Sequence, residues 1–141
     1  MAGRLVYGVR YKYPHMLGED IAIWERFLNA FPDRFDSVDY DVRVGEGIPP
    51  LETLPENIKR DARALTQKRI DVVGWNGELP TIIEVKSRAG MSTLGQIQGY
   101  KILFEVDFPK LFIPELLIVT GRIFPDDEFV LTQSLIPVVV V

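Results

Sequence analysis

The amino-acid sequence predicts a single α/β domain, and two observations carry this prediction. Segments with helical periodicity alternate with short apolar segments that are typical of strands. The 141 residues are 47% hydrophobic and 26% charged, a balance typical of one globular domain with a stable core. Because no internal repeat and no low-complexity linker divides the chain, one domain is expected to span residues 1–141.

The first half of the chain predicts two helices and one strand. Residues 17–35 are expected to form a helix that Pro32 ends, because apolar residues recur there at helical spacing: Ile21, Trp24, Phe27, Leu28 and Phe31. Residues 35–47 alternate apolar and charged side chains, which predicts a half-buried strand with an apolar face formed by Val38, Tyr40, Val42 and Val44. Residues 56–69, the most basic stretch, predict a short helix.

The second half predicts a hairpin followed by alternating helices and strands. Strands over 69–75 and 79–86 are joined at Asn76-Gly77, a dipeptide that tolerates the positive φ values of a tight turn. A helix over 92–107, a buried strand over 115–121, a short helix over 125–135 and a closing strand over 136–141 complete the series. The resulting order is α-β-β-β-α-β, with a short α-β extension over residues 122–141.

Composition excludes several classes of function. The chain has no cysteine and one histidine, His15, which argues against disulfides, thiolate sites, a multi-histidine zinc site and a Ser-His-Asp triad. The net charge of −4 argues against binding nucleic acid by bulk attraction, although a local basic patch is allowed. No apolar run reaches the ~18 residues of a membrane span, and no apolar leader is recognisable at the N-terminus. We therefore expect an intracellular or phage-particle protein without signal peptide or membrane contact.

The predicted hairpin carries charge inside its most strand-like segment. With Asn76 and Gly77 as the two turn residues, Asp71 lies opposite Ile82. Side chains two apart on a strand share a face, so the charged face is expected to contain Asp71, Ile82, Glu84 and Lys86. The opposite face is expected to enter the core through Ile70, Val72, Ile83 and Val85.

Two carboxylates and a lysine on one strand face suggest a metal site. Asp71 and Glu84 repel each other, and a divalent cation with hard oxygen ligands relieves that repulsion. Magnesium fits, because it keeps several waters and takes one or two carboxylates; the Val85 carbonyl is a further candidate ligand. Lys86 would then orient or deprotonate an attacking water. The alternative is a solvated sheet face with a cross-strand ion pair.

The hairpin Asp71 followed by Glu84-Val85-Lys86 resembles the motif of the PD-(D/E)XK nuclease superfamily. The resemblance covers about residues 17–121 and implies the restriction-endonuclease-like α-β-β-β-α-β core, with a mixed central sheet flanked by helices. It also implies that Asp71 and Glu84 bind Mg²⁺, which Mn²⁺ replaces, and that Lys86 assists the nucleophilic water. Ile70 stands where the motif has proline.

Two helices supply further candidates that the resemblance suggests. Many members of the superfamily add an acid from the first helix, for which Glu25 is predicted and Asp20 is the reserve; Glu25 is otherwise a solvated helix residue. On the second helix, Gln96 and Tyr100 lie one turn apart, and this Q-x-x-x-Y pattern resembles the branch of λ exonuclease and the recombination nucleases. Alternatively, Gln96 closes a capping box with Thr93 and Tyr100 is a core aromatic.

Basic residues near the motif are candidates for phosphate contacts, with solvated charge as the alternative. They are Lys59, Arg60, Arg63, Lys68, Arg69 and Arg88, together with Ser87. The sequence thus predicts a magnesium-dependent nuclease that hydrolyses DNA, with endonuclease and exonuclease action both open. One alternative is a nuclease-fold binding or assembly module, for example in a phage particle or a defence complex; another is an RNA-cleaving enzyme. The apolar C-terminal residues, if exposed, would suggest a partner subunit, such as a second copy of the chain.

Overall fold

The computed structural model describes residues 2–141, which form six strands and four helices. In chain order these are β1 (Leu5–Val6), α1 (Gly18–Ala30), β2 (Ser37–Val44), α2 (Glu56–Thr66), β3 (Lys68–Asn76), β4 (Leu79–Ala89), α3 (Met91–Asp107), β5 (Glu115–Ile123), α4 (Pro125–Gln133) and β6 (Val138–Val140). Every predicted helix and strand is present with shifted ends. β1 was not predicted, because two residues carry no recognisable period.

The strands form one mixed sheet in the order β1-β2-β3-β4-β5-β6. The first four strands are antiparallel neighbours, whereas β4, β5 and β6 run parallel. The prediction of an α/β fold is confirmed, and the C-terminal valines form a strand paired with β5, as predicted. Across residues 2–141, no helix has the length and apolar character needed to cross a membrane.

The first hydrophobic cluster lies where α1 packs on the sheet. Trp24 is fully buried, stacks on Phe27 with ring centroids 5.2 Å apart, and donates its Nε1–H to the Tyr40 hydroxyl at 3.0 Å. The sheet contributes apolar side chains to the same cluster, among them Val38, Val72, Ile83, Val85, Leu117 and Val119. The helical spacing read from the sequence therefore fixes which face of α1 is buried.

A second cluster is formed with α3 and α4. Ile97 and Phe104 of α3 and Leu131 of α4 pack there with sheet residues that include Val44, Ile70, Val73, Ile82 and Ile118. The polar α2 contributes no buried residue and is joined to the preceding loop by the Thr66 hydroxyl, which accepts a hydrogen bond from the Ile48 amide at 2.7 Å. The sheet is thus covered by helices that belong to two different apolar clusters.

Midway along β2, the regular alternation of side chains between the two faces of the sheet is interrupted, which corrects one prediction. Val38 and Tyr40 belong to the α1 cluster, but Val44 belongs to the α3 cluster and Val42 packs against that cluster. Asp41, between these pairs, has a φ of 52°, a left-handed conformation that breaks strict alternation. The prediction that these four residues share one apolar face is therefore wrong.

The hairpin register also differs from the prediction. Asn76 pairs with Leu79 and Val73 with Ile82, so the turn residues are Gly77 and Glu78, and Asp71 is not opposite Ile82. The shift amounts to two residues, and a two-residue shift does not by itself move a side chain to the other face of the sheet. Ile70 is a further correction: it packs in the α3 cluster, whereas Val72 packs in the α1 cluster.

Two glycine-to-alanine changes test this packing in opposite directions. A Cβ at Gly74 of β3 would lie 2.8 Å from the buried ring of Phe35, whereas a Cβ at Gly95 of α3 would meet no atom within 4 Å. Gly74→Ala is expected to lower the free energy of unfolding by about 1–3 kcal/mol through overpacking. Gly95→Ala is expected to raise it by about 0.5–1 kcal/mol through helix propensity. Thermal unfolding followed by circular dichroism measures both; a Gly74→Ala protein that melts at or above wild type would contradict the packing described.

Candidate active site

The candidate site begins where the hydrogen-bonded ladder between β3 and β4 ends. The last backbone pair of that ladder joins Val72 to Ile83. One residue beyond, the Asp71 carboxylate accepts a hydrogen bond from the Val85 amide at 3.0 Å. The Asp71 side chain thus provides the hydrogen-bond acceptor for the Val85 N–H, and its carboxylate is held between the two strands.

Glu84 lies beside Asp71 and is almost completely buried, with 2% of its surface exposed. Its Oε1 lies 3.3 Å from the Nζ of Lys86, whose side chain is 36% exposed. Its Oε2 is buried and accepts no hydrogen bond from an N–H or hydroxyl donor, and a side-chain hydrogen bond between Glu84 and Asp71, which needs a shared proton, contributes to the pKa values of both acids. A buried carboxylate oxygen without a partner costs free energy, which a proton or a bound cation recovers.

The proximity of the two acids changes their proton affinity. Burial raises the pKa of Glu84 to about 8; the charge of Asp71 adds to this rise, and Lys86 opposes it. Burial likewise raises the pKa of Asp71, against the lowering effects of the Val85 amide and Lys86. Raised carboxyl pKa values in a pair are typical of sites that bind a cation or a proton.

The α1 acid that reaches this cluster is Asp20, the reserve candidate. Its negative charge contributes to the raised pKa of Asp71, and its own pKa is raised by burial and lowered by the charge of Lys86 and the Ser87 amide. Glu25 instead accepts a hydrogen bond from the Tyr13 hydroxyl at 3.1 Å. The structure therefore brings Asp20, and not Glu25, to Asp71 and Lys86.

On α3, the two candidates differ in their relation to the acids. Tyr100 is half-buried, and burial together with the charges of Glu84 and Asp71 raises its pKa to about 12, which locates its hydroxyl near both acids. Gln96 is exposed, one turn earlier. Thr93 accepts a hydrogen bond from the Gly90 amide at 3.1 Å and is the third residue of the helix, so the predicted Thr93–Gln96 capping box is wrong.

The basic candidates lie in two places: Lys59, Arg60 and Arg63 are on α2, and Lys68, Arg69 and Arg88, with Ser87, are near the ends of β3 and β4. Arg69 is held by a cluster that the sequence did not reveal: its guanidinium lies 2.7 Å from the Nδ1 of His15, and His15 Nε2 lies 3.2 Å from Asp41. The residues Lys68, Ser87 and Arg88 are exposed near the acids in sequence. No sequence signal marks the cluster, because it depends on left-handed backbone at both His15 and Asp41.

The donor set fits a magnesium ion that keeps most of its water. Within residues 2–141, no group of three or more histidine, cysteine, aspartate or glutamate side chains is arranged to hold a metal by itself. Asp71 and Glu84 offer two carboxylates, and the unpartnered Oε2 of Glu84 is a free ligand position. Magnesium is commonly held by one or two carboxylates, with waters and substrate phosphate completing six ligands. The residues present therefore suit this ion.

Comparisons with protein-family models, with curated proteins and with solved structures find no match to this chain.

The buried Glu84 predicts that the metal-free protein loses stability as the pH rises. A folded-state pKa of about 8, above the ~4.3 of an unfolded glutamate, means that the folded state retains a proton which the unfolded state has lost. That stabilisation is complete below about pH 4 and is lost as the pH rises through 8. In EDTA, Glu84→Gln should therefore gain stability relative to wild type between pH 5 and pH 9, by roughly 1 kcal/mol or more.

Urea unfolding at each pH measures this difference. Glu78→Gln, at the exposed turn of the same hairpin, is the matched control and should follow wild type at every pH. A constant offset between Glu84→Gln and wild type across the pH range would contradict the raised pKa of Glu84.

Proposed function

We propose that this chain is a magnesium-dependent nuclease that hydrolyses phosphodiester bonds of DNA, with manganese able to replace magnesium. The observation that carries the proposal is the buried Glu84, whose Oε2 has no partner, beside Asp71 and 3.3 Å from Lys86. This combination has little value as a solvated ion pair, since Glu84 is not solvated. It is well suited to holding a cation against a phosphate.

We also propose that the fold is the restriction-endonuclease-like core of the PD-(D/E)XK superfamily. The order α1-β2-β3-β4-α3-β5 agrees with the α-β-β-β-α-β order of that core, with α2 inserted between β2 and β3. The sheet is mixed, and Asp71 and Glu84 lie on adjacent strands. These features support the resemblance that the motif suggests.

In this proposal Asp71 and Glu84 would hold the metal, with the Val85 carbonyl as a further candidate ligand. The bound ion would supply positive charge that stabilises the phosphoryl oxygens during in-line displacement. The Val85 amide fixes one oxygen of Asp71 at 3.0 Å, so the acid is oriented before any ligand arrives. A preorganised acid loses little conformational freedom on binding.

Lys86 would serve the attacking water. Its ammonium lies at the border between the buried acids and solvent, where a water approaching the phosphate would be found. It would orient that water through a hydrogen bond as the water's oxygen bonds to phosphorus and the bond to the leaving oxygen breaks. Asp20 would add negative charge that helps to keep Lys86 in place, and Tyr100 would close the α3 side of the site.

An assembly role is the second candidate, favoured by an exposed apolar surface away from the acids. Large side chains are exposed after the middle of α3 and beyond α4: Ile102, Val106, Phe112, Ile113 and Leu135. Ile102 and Leu135 line a common cavity of about 760 Å³ with Leu116 and Ile136. Apolar patches of this kind are typical of protein interfaces, so a nuclease-fold module in a larger complex would use this surface.

The nuclease proposal predicts metal-dependent cleavage that individual site residues control. Asp71→Asn and Lys86→Ala should each lower the cleavage rate by at least about a hundredfold, because each removes a group that acts on the reacting phosphate. The assay follows nicking and degradation of supercoiled, linear and single-stranded DNA, and of RNA, with Mg²⁺, Mn²⁺ or EDTA.

Two variants are matched controls for that assay. Lys110→Ala and Glu78→Gln change exposed residues outside the candidate site and should cleave as wild type does. Magnesium should also raise the melting temperature of wild type and not that of Asp71→Asn, because only wild type retains both ligands. If folded wild-type protein cleaves neither DNA nor RNA, the nuclease proposal is contradicted and the assembly role is favoured. Cleavage of RNA alone would identify RNA, and not DNA, as the substrate.

The two α1 acids give a separate prediction. Asp20→Asn should lower the cleavage rate by about tenfold, because it removes a charge that acts on both Lys86 and Asp71. Glu25→Gln should stay within about twofold of wild type, since glutamine can still accept the Tyr13 hydrogen bond. Single-turnover rates under saturating enzyme measure both. The reverse ranking would assign the α1 acid of the site to Glu25.

A further inference from the structure

Two arginines and one phenylalanine meet at the end of the sheet beyond Lys86. Arg88 of β4 and Arg122 of β5 are direct partners in the parallel ladder. Their guanidinium carbons lie 5.2 and 5.4 Å from the centre of the same ring, that of Phe124. Phe124 precedes α4 and is 47% exposed, so the group of three side chains faces solvent.

The pairing of Arg88 with Arg122 is unfavourable unless an anion lies between the side chains. Like charges directly opposite each other on neighbouring strands destabilise a sheet. Within residues 2–141, neither arginine has a carboxylate within 4.0 Å. Repulsion between the two guanidinium groups is therefore not relieved by an ion pair, and an anion bound between them would relieve it.

The ring of Phe124 gives this pair a defined position. A guanidinium over an aromatic face keeps the N–H groups in its own plane free, and these can bind phosphate oxygens in a bidentate manner. A surface arginine without such support loses more side-chain entropy when it binds. Phe124 thus acts as a positioning residue for both guanidinium groups.

The location connects the pair to the candidate active site. Arg88 lies two residues after Lys86 on β4, about 6.6 Å further along the strand. A shallow cavity of about 310 Å³ lies next to it, lined by Ser87 and Arg122 with Glu19 and Arg26 of α1 opposite. A strand of nucleic acid that crosses Lys86 would reach this cavity with its next phosphate.

We propose that Arg88 and Arg122, positioned by Phe124, form a second phosphate-binding site for the substrate strand, next to the scissile phosphate. The proposal rests on the nuclease function proposed above and adds the way in which the substrate is held. The phosphate would be either an internal phosphodiester, as in an endonuclease, or a terminal phosphate, as in an exonuclease that cleaves from a strand end.

Acidic residues nearby limit the long-range attraction of this site for polyanions. Asp126, Asp127 and Glu128 occupy the first turn of α4, directly after Phe124. They weaken attraction for polyanions at long range, but contacts within a few ångströms dominate at physiological salt, where screening acts over ~8 Å. The site should therefore bind phosphate by direct contact rather than by a broad positive field.

Binding of short single-stranded oligonucleotides in EDTA tests the proposal without cleavage. Fluorescence anisotropy is measured for wild type, Arg88→Gln, Arg122→Gln and Phe124→Leu between about 50 and 200 mM salt. Each arginine variant should bind about tenfold more weakly, and its plot of log affinity against log salt should be shallower by about 0.7. Phe124→Leu should bind about threefold more weakly with an unchanged slope, because both charges remain.

Arg34→Gln is the matched control, since Arg34 also stacks on a phenylalanine, Phe35, at 5.4 Å. It lies at the hairpin end of the sheet, where its carbonyl accepts a hydrogen bond from Asn76. It should bind as wild type does. Equal losses in Arg34→Gln and Arg122→Gln, unchanged affinity in both Arg88→Gln and Arg122→Gln, or no binding by wild type would overturn the proposal.

The oligonucleotide ends distinguish the two sources of phosphate. Probes carry a 5′-phosphate, a 3′-phosphate or only hydroxyl ends. Equal losses for all three probes indicate an internal phosphodiester, and losses confined to one phosphorylated probe indicate a terminal phosphate; both results support the site. Binding that depends on the arginines, in a protein that never cleaves, would support this inference and refute the nuclease function. Cleavage together with binding that does not depend on the arginines would support the nuclease function and refute this inference.

Discussion

The burial of Glu84 beside Asp71 is the constraint on which the rest of the site depends. Glu84 is inaccessible to water, so neither its charge nor its proton can be treated as a surface property. Asp71 stays next to it because the Val85 amide, which Asp71 binds at 3.0 Å, would otherwise lack that acceptor at the end of the β3–β4 ladder. Backbone hydrogen bonding therefore holds together two groups whose charges repel. A proton or a bound cation would make this arrangement favourable.

The break at Asp41 explains how one sheet supplies both this site and two apolar clusters. On β2 and β3, the residues on either side of Asp41 and Asp71 pack into different clusters. A left-handed residue with a side chain is unfavourable, and such strain is retained where the surroundings compensate it. Here His15 and Arg69 contact the Asp41 carboxylate. Strict alternation would have placed Ile70 with Val72, on the other side of the sheet from the α3 cluster in which it packs.

The sequence was informative where a pattern depends on parity or period. Helical and strand periods located every element except the two-residue β1, and Asp71 and Glu84 interact as predicted although the hairpin register differs by two residues. The choice between Asp20 and Glu25 could not be made from the helical period alone. A helical wheel gives the side of α1 that faces the sheet, but which end of α1 lies nearest to Lys86 depends on the docking of the whole helix. The sequence around Asp41 does not reveal the break in alternation. Aspartate is common both at the polar positions of strands and in left-handed backbone, so the residue type does not distinguish the two.

If the proposed function holds, the charge distribution would link metal binding to substrate binding. The net charge is −4, yet the end of the sheet brings together three acids and three bases: Asp20, Asp71 and Glu84 with Lys86, Arg88 and Arg122. Without a cation the local charge is close to zero, so a phosphate would be held by direct contact with the arginines and not by the net charge of the region. A divalent ion held by Asp71 and Glu84 would make the same region positive over distances shorter than the Debye length of ~8 Å. The acids that repel a polyanion are thus the groups that, once neutralised, allow it to bind, so metal and nucleic acid should each strengthen the binding of the other.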